Sequence, residues 1–257
     1  MFKAAYLILF LSVLGFSSTK TNEEKLTSSI VHIETFDQFY KFLSDTNQYN
    51  VLELSINGGF MDPVHGYELK SDSFFNKLGG LVNLKKLNIE SCELKEVPPQ
   101  IFKLKKLEII QLRSNKISYC PPLISKLKRL KQLDLSFNQI TTMDSLLFGD
   151  ISNSQLVSLS LSFNQIKIIN PDVCKLRELS FLHFSYNQIE NIPCCLSEFE
   201  LFEVSIENNP LNEIPECFCR SYQKSYMLHF SHFGKVKIPK CLDDTNIPIN
   251  NRIYIGH

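Results

Sequence analysis

Cysteine and histidine are the side chains here whose spacing could support chemistry. The chain of 257 residues holds eight cysteines and six histidines. Cys194, Cys195, Cys217, Cys219 and Cys241 crowd into its last quarter, where an oxidising compartment would join them as disulfides. Zinc is a poorer match. Neither Cys194-Cys195 nor Cys217-x-Cys219 has the gap of about two to four residues found in zinc knuckles. Catalysis needs a nucleophile and a base placed together. The chain has no G-x-S-x-G, no H-E-x-x-H, no Walker-type glycine loop and no G-x-G-x-x-G, the motifs that place such groups or cradle phosphates. The sequence therefore predicts no enzyme, with no catalytic residue, no cofactor and no metal ligand.

Composition excludes other classes. Apolar residues make up 44%, too many for a disordered chain. Lys and Arg number 27, as do Asp and Glu, so the excess of cations on which nucleic-acid affinity rests is missing.

The cysteines and histidines fall on a repeat. Leu107-x-x-Ile110-x-Leu112-x-x-Asn115-x-Ile117 recurs as Leu130-x-x-Leu133-x-Leu135-x-x-Asn138-x-Ile140. It returns from Leu156 through Asn164 to Ile166, from Leu179 through Asn187 to Ile189, and from Leu201 through Asn209 to Leu211. An earlier copy reads Leu84, Leu87, Ile89, Cys92, Leu94, and the start-to-start spacings are 23, 23, 26, 23 and 22 residues. Degenerate copies flank these at Val51 to Met61 and at Leu228 to Phe233.

This pattern resembles the leucine-rich repeat family, in its subclass of about 23 residues. The second half of that repeat, I-P-x-x-I-x-x-L, appears as Val97-Pro98-x-x-Ile101-x-x-Leu104, Ile192-Pro193-x-x-Leu196 and Ile214-Pro215-x-x-Phe218. The resemblance covers residues 51–242. It implies an α/β fold: a curved solenoid with a parallel sheet on the concave face and irregular, 3-10 or short helical segments on the convex face. It also implies a non-catalytic module that binds a protein partner through the concave face. Gly59, Cys92 and Phe233 depart from the pattern by replacing its Asn, and extra residues lie between Met61 and Leu81 and near Gly149 to Ser154.

The residues predict the same shape directly. In L-x-L the Leu side chains point inward and the intervening positions outward. One repeat cannot bury its Leu set alone, so neighbours must complete the core. The Asn carries donors and an acceptor for backbone groups that would otherwise be buried unpaired.

Counting from the Asn position, Cys195, Cys217 and Cys241 share one column on the far side, and Cys174 and Cys219 share another. Disulfides and buried free thiols both remain open, since Cys92 and Cys120 occupy core positions and Cys is a common small hydrophobe in cores. On the strand side, one outward column runs Asn88, Gln111, Asp134, Ser160, His183, Ser205, His229. The next runs Glu90, Arg113, Ser136, Ser162, Ser185, Glu207, and the third Ser91, Ser114, Phe137, Phe163, Tyr186, Asn208. An aromatic stripe bordered by small polar residues and charges has the composition of a protein-binding patch. Arg113, Asp134, Phe137, Phe163, His183, Tyr186 and Glu207 are the expected partner contacts.

At the front, Ser28 to Glu34 alternates like a strand. Thr35-Phe36-Asp37-Gln38 reads as a capping box opening a helix to about Ser44. Phe36, Phe39, Tyr40, Phe42 and Leu43 would cover the first repeat. Residues 1–17 read as a secretory signal peptide: Lys3, an apolar run from Ala4 to Phe16, then small polar residues. Residues 18–50 are then an N-terminal cap and 243–257 a tail. After Phe16 no apolar run reaches the roughly 18 to 20 residues of a membrane span. The expected location is secreted. The alternative is a cytoplasmic scaffold or signalling regulator, favoured by the missing N-terminal cysteine cap and the absence of N-x-S/T sequons. Charge is uneven: Leu84 to Lys131 has 12 Lys/Arg against 4 Asp/Glu, a net of +8, and Asn187 to Arg220 has 7 Glu against one Arg, a net of −6.

Overall fold

The computed structural model describes residues 30–45, 50–58, 72–119, 126–143, 154–198, 203–221, 227–231, 236–241 and 253–256. The N-terminal apolar segment, Cys120, His232 and Phe233 lie outside the described residues.

The strands are β1 (Ile30–Ile33), β2 (Glu53–Asn57), β3 (Lys86–Glu90), β4 (Ile109–Gln111), β5 (Gln132–Asp134), β6 (Ser158–Ser160), β7 (Phe181–His183), β8 (Glu203–Ser205), β9 (Met227–Ser231) and β10 (Ile253–Gly256). They form one sheet of ten strands in sequence order, and every neighbouring pair is parallel. The register aligns the repeats. Leu54, Leu87, Ile110, Leu133, Leu159, Leu182 and Val204 are successive partners, and all are buried. The next inward column, Ile56, Ile89, Leu112, Leu135, Leu161, Phe184 and Ile206, is buried as well. The sheet runs past both ends of the 51–242 array, since β1 comes from the cap and β10 from the tail.

Parallel strands need crossovers. Here they run over the far side through 3-10 segments at Pro99–Lys103, Pro171–Lys175 and Cys194–Glu198. Proline opens the first two, where its fixed φ and missing N–H do no harm. Ile101, Phe102, Val173 and Leu196 turn inward from these segments and close the core.

Beneath the turns lies a ladder of asparagines. Asn115, Asn138, Asn164, Asn187 and Asn209 are all buried. The Nδ2 of Asn164 donates to Leu135 O of the preceding repeat at 3.0 Å and to Leu161 O of its own at 2.9 Å. Its Oδ1 accepts the Ile140 amide at 2.9 Å. The same three kinds of bond recur at Asn138, Asn187 and Asn209. Asn115 accepts from both Cys92 N and Leu94 N. The ladder stops at Cys92, whose thiol donates to Glu90 O at 3.0 Å. Burial pushes that thiol up to about 12, with the Gly58 backbone lowering it and Glu90 raising it, so it stays protonated and unreactive. Gly58 permits this junction, because a Cβ there would meet Ser91 O at 2.1 Å.

The front end is closed by two helices. α1 (Phe36–Ser44) starts at Thr35, whose Oγ1 accepts the Gln38 amide at 3.3 Å while Gln38 Oε1 accepts the Thr35 amide at 3.1 Å. Phe39 and Phe42 enter the core and Leu43 packs against it. Tyr40 does not; it is 47% exposed, since the next residue on a helix turns off the buried face. The side chain of Phe36 is outside the described set. α2 (Asp72–Gly80) lies in the long insert. Its Phe74 and Leu78 are fully buried, with Phe74 against Phe39 at 5.6 Å between centroids. Lys77 Nζ donates to Leu43 O at 2.6 Å and also to Asp45 O, closing the carbonyl end of α1. Burial lowers the Lys77 pKa, partly opposed by Asp45.

The ladder sets a test. Asn164→Ala strips three buried backbone groups of partners and is expected to cost roughly 1 to 3 kcal/mol. Asn212→Ala, at an exposed site, is expected to be near neutral. Urea midpoints of the two variants check this, and equal losses would remove the ladder from the account.

Candidate functional site

The ladder dictates what the concave face shows. Turning each Asn inward requires the residue before it to take the left-handed conformation. Ser91, Ser114, Phe137, Phe163, Tyr186 and Asn208 have φ between 54° and 57°. Left-handed backbone is costly for large side chains, and it persists where surroundings hold it. Here backbone bonds do so. Phe137 N donates to Ser162 O at 2.9 Å, Phe163 N to Ser185 O at 2.8 Å and Tyr186 N to Glu207 O at 2.7 Å.

The three rings are thereby set side by side. Phe137 and Phe163 stack with centroids 4.0 Å apart and planes 12° apart; Phe163 and Tyr186 stack at 4.1 Å and 10°. The Arg113 guanidinium carbon lies 4.6 Å from the Phe137 centroid, a cation–π contact. Arg113, reaching over from the neighbouring column, thus continues the stack of Phe137, Phe163 and Tyr186 across four repeats. The rings are 37%, 37% and 47% exposed. Their faces are used on one another, so ring edges meet the solvent.

Beside the ridge runs a shallow floor of serines. Ser136 and Ser185 are buried. Asp134 Oδ1 accepts from Ser136 N at 2.8 Å and Ser136 Oγ at 2.5 Å. The hydroxyls of Ser136 and Ser160 are 2.6 Å apart, as are those of Ser185 and Ser205. Asp134 is therefore held as a fixed acceptor within the face. His183 faces Glu203, with Nδ1 3.9 Å from Oε1. Glu207 is half-buried at the acidic end. The structure places all seven expected contact residues on the concave side. Arg113, Phe137, Phe163 and Tyr186 form one physical unit, whereas Asp134, His183 and Glu207 line its flank. Glu203 was not singled out by sequence, although it precedes the L-x-L register position and points outward. The left-handed backbone carried no sequence signal either, because only glycine would have announced it.

The far side is covalently joined. Disulfides link Cys174 to Cys195, Cys194 to Cys217 and Cys219 to Cys241, with Cα atoms 5.9, 5.7 and 5.8 Å apart. Each spans 21 to 23 residues, so each joins consecutive repeats. Equivalent columns do not pair with themselves. In Cys174–Cys195 and Cys219–Cys241 the tenth residue after one Asn position reaches the eighth of the next repeat, and in Cys194–Cys217 the seventh does so, which corrects the column picture and adds Cys174 to the bonded set. Among the described residues no group of His, Cys, Asp and Glu is placed to hold a metal ion.

Comparison with known proteins agrees with this geometry. The leucine-rich repeat family model matches residues 82–140 and 128–189. The fold is a leucine-rich repeat solenoid. No curated protein matches the chain in sequence. An internalin from Listeria monocytogenes is similar at 21% identity and a TM-score of 0.58, over 76% of this chain and 51% of that one. Internalin C2 of the same organism is 20% identical with a TM-score of 0.60, over 80% and 81%. The leucine-rich repeat ectodomain of the receptor kinase GASSHO1/SCHENGEN3 from Arabidopsis thaliana, in complex with CASPARIAN STRIP INTEGRITY FACTOR 2, is 20% identical with a TM-score of 0.53, over 77% and 26%. This chain spans about half of that first internalin and about a quarter of the plant ectodomain. Such identities show the fold alone. Leucine-rich repeat domains commonly bind proteins.

The disulfides in this solenoid make a measurable contribution. Closing a loop of 23 residues is worth about 3 kcal/mol by chain entropy. Cys194→Ser with Cys217→Ser is expected to lower the unfolding free energy by roughly that amount under non-reducing conditions. Denaturant melts of both forms, with disulfide mapping by mass spectrometry, check it.

Proposed function

We propose that this chain is a non-catalytic, secreted binding module that holds a protein partner against its concave face. One observation carries the reading: Arg113, Phe137, Phe163 and Tyr186 form a stacked, exposed array. Aromatic anchors with little freedom to lose are the side chains from which interfaces draw most of their affinity. The backbone clamp at φ near 55° preorganises them further. The serine floor lets a partner approach closely, and its hydroxyls are already bonded to one another. Asp134, His183 and Glu207 supply the polar border. The complex formed by the plant ectodomain gives a precedent within the same fold, at the level of analogy.

Secretion is favoured over the cytoplasmic alternative by the three disulfides, since bonds of this kind persist in oxidising compartments. Among the described residues no helix is long and apolar enough to cross a membrane. Sequencing the mature N-terminus separates the two: a start at Ser18 supports export, and a retained Met1 opposes it.

The decisive test is partner capture. Phe163→Ala with Tyr186→Ala is expected to weaken binding by well over about tenfold, since truncating a central aromatic anchor typically costs about 2 kcal/mol or more. Circular dichroism should remain unchanged, because both rings are exposed. Lys126, Lys128 and Arg129 are exposed just ahead of β5; changing all three to Ser is expected to reduce the salt dependence, because charges at the edge of an interface act mainly on association rate. Wild-type binding by the aromatic pair, with none by the basic triple, would move the site to those basic residues ahead of β5.

A further inference from the structure

Resting on that reading, we propose that the concave stripe takes an extended segment of its partner lying across the strands, with a carboxylate seated at Arg113 and a cation seated at Glu207.

The geometry argues for an extended, bipolar occupant in three steps. The stacked rings and the bonded serines run together from repeat to repeat, so the stripe they form crosses the strands. Ring faces are closed by stacking at 4.0 and 4.1 Å. A flat sugar or base thus finds no face to stack on between Phe137 and Tyr186. Ring edges remain, and these carry the positive side of the aromatic quadrupole, which suits the carbonyl oxygens and aliphatic side chains of a peptide.

The two ends differ in charge. At the β4 end Arg113 is exposed and lies over Phe137, leaning towards β5 and away from Glu90 on β3. With the guanidinium placed over the ring, its fork of N–H donors is the kind of group that receives a carboxylate bidentately. At the β8 end stand Glu207, half-buried, and Glu203. The surrounding repeats reinforce this gradient, +8 over Leu84 to Lys131 and −6 over Asn187 to Arg220. A stripe with opposite charges at its ends orients what binds along it.

The span fixes a length. From β4 to β8 there are four strand steps, about 19 Å at about 4.8 Å each. An extended chain rises about 3.3 Å per residue. The acidic and basic side chains of the occupant therefore stand about six residues apart.

The test uses labelled synthetic peptides of alternating Ser and Val, with Asp or Lys at two positions six apart, and reads fluorescence anisotropy. Wild type is expected to bind the Asp/Lys peptides about tenfold tighter than the Asp/Asp or Lys/Lys peptides. Separations of two or twelve residues should abolish that advantage. Arg113→Glu is expected to shift preference to Lys/Lys, and Glu207→Lys to Asp/Asp. The double reversal should restore preference for mixed ends, with the peptide turned round. Unchanged preferences in the single reversals, or no binding of any peptide by wild type, would overturn the proposal. Loss of affinity for every peptide in Phe163→Ala with Tyr186→Ala, with the order kept, supports both readings. Wild-type affinity in that pair, with charge preferences still switching, would sink the aromatic-anchor reading and leave the polarity standing.

Discussion

The buried asparagine is the interaction on which this molecule depends. Each repeat must turn sharply after its strand, and the turn buries amides and carbonyls that no strand can reach. A single carboxamide answers three of them, two carbonyls and one amide, and one of those carbonyls and the amide belong to the preceding repeat. The Asn is therefore a bond between repeats as much as a cap within one. Hydrophobic contacts between Leu columns would tolerate small slips along the stack. Three directional bonds per repeat would not, because a slip strands polar groups in an apolar core. The register of the sheet follows from this.

The presentation of the concave face is a consequence of the same turn. The left-handed residue ahead of each Asn has its side chain aimed outward, whatever its type. Ser91 and Ser114 occupy that place without forming a feature, and Asn208 likewise. Where the residue is aromatic in three consecutive repeats, the repeat spacing forces the rings face to face. Strands about 4.8 Å apart leave room for parallel rings and little else. The stripe is thus a surface written onto a structural position, and its rigidity comes from bonds beneath it.

Much of the fold was legible because the pattern repeats. L-x-L gave the strands, the Asn position gave the turns, and the Pro-containing half gave the far-side segments. The residues of the stripe were legible for the same reason, as columns of equivalent positions. What stayed hidden is what equivalence cannot express. The disulfides join unlike positions in adjacent repeats, because a crossover advances along the solenoid axis as it crosses the far side. Tyr40 was expected under the cap and stands outside it, since a composition of aromatics does not say which lies on the buried arc of a short helix. The helix Asp72–Gly80 falls in the insert, where the repeat offers no guide, yet its Phe74 and Leu78 are among the most buried side chains. Stacking and the Arg113 contact needed side-chain positions, not order along the chain.

The two ends of the stack are closed by different physics, and the stripe lies across the boundary. At the front, apolar burial by Phe39, Phe42, Phe74 and Leu78 closes the first repeats, and Lys77 binds the carbonyls at the end of the first helix. Such closure works in any compartment. Towards the back, covalent links between consecutive repeats begin with Cys174 and continue to Cys241. These links act largely by restricting the unfolded chain, and they hold only where thiols stay oxidised. Arg113, Phe137 and Phe163 stand ahead of Cys174; Tyr186 and Glu207 stand among the bonded repeats. In a stack whose stability is a sum over neighbouring interfaces, reduction would weaken the half carrying Tyr186 and Glu207 first. The basic end of the stripe would keep its scaffold while the acidic end lost its own. If the proposed partner needs both ends of the stripe, its binding would depend on the redox state of the surroundings, even though no cysteine stands among the stripe residues.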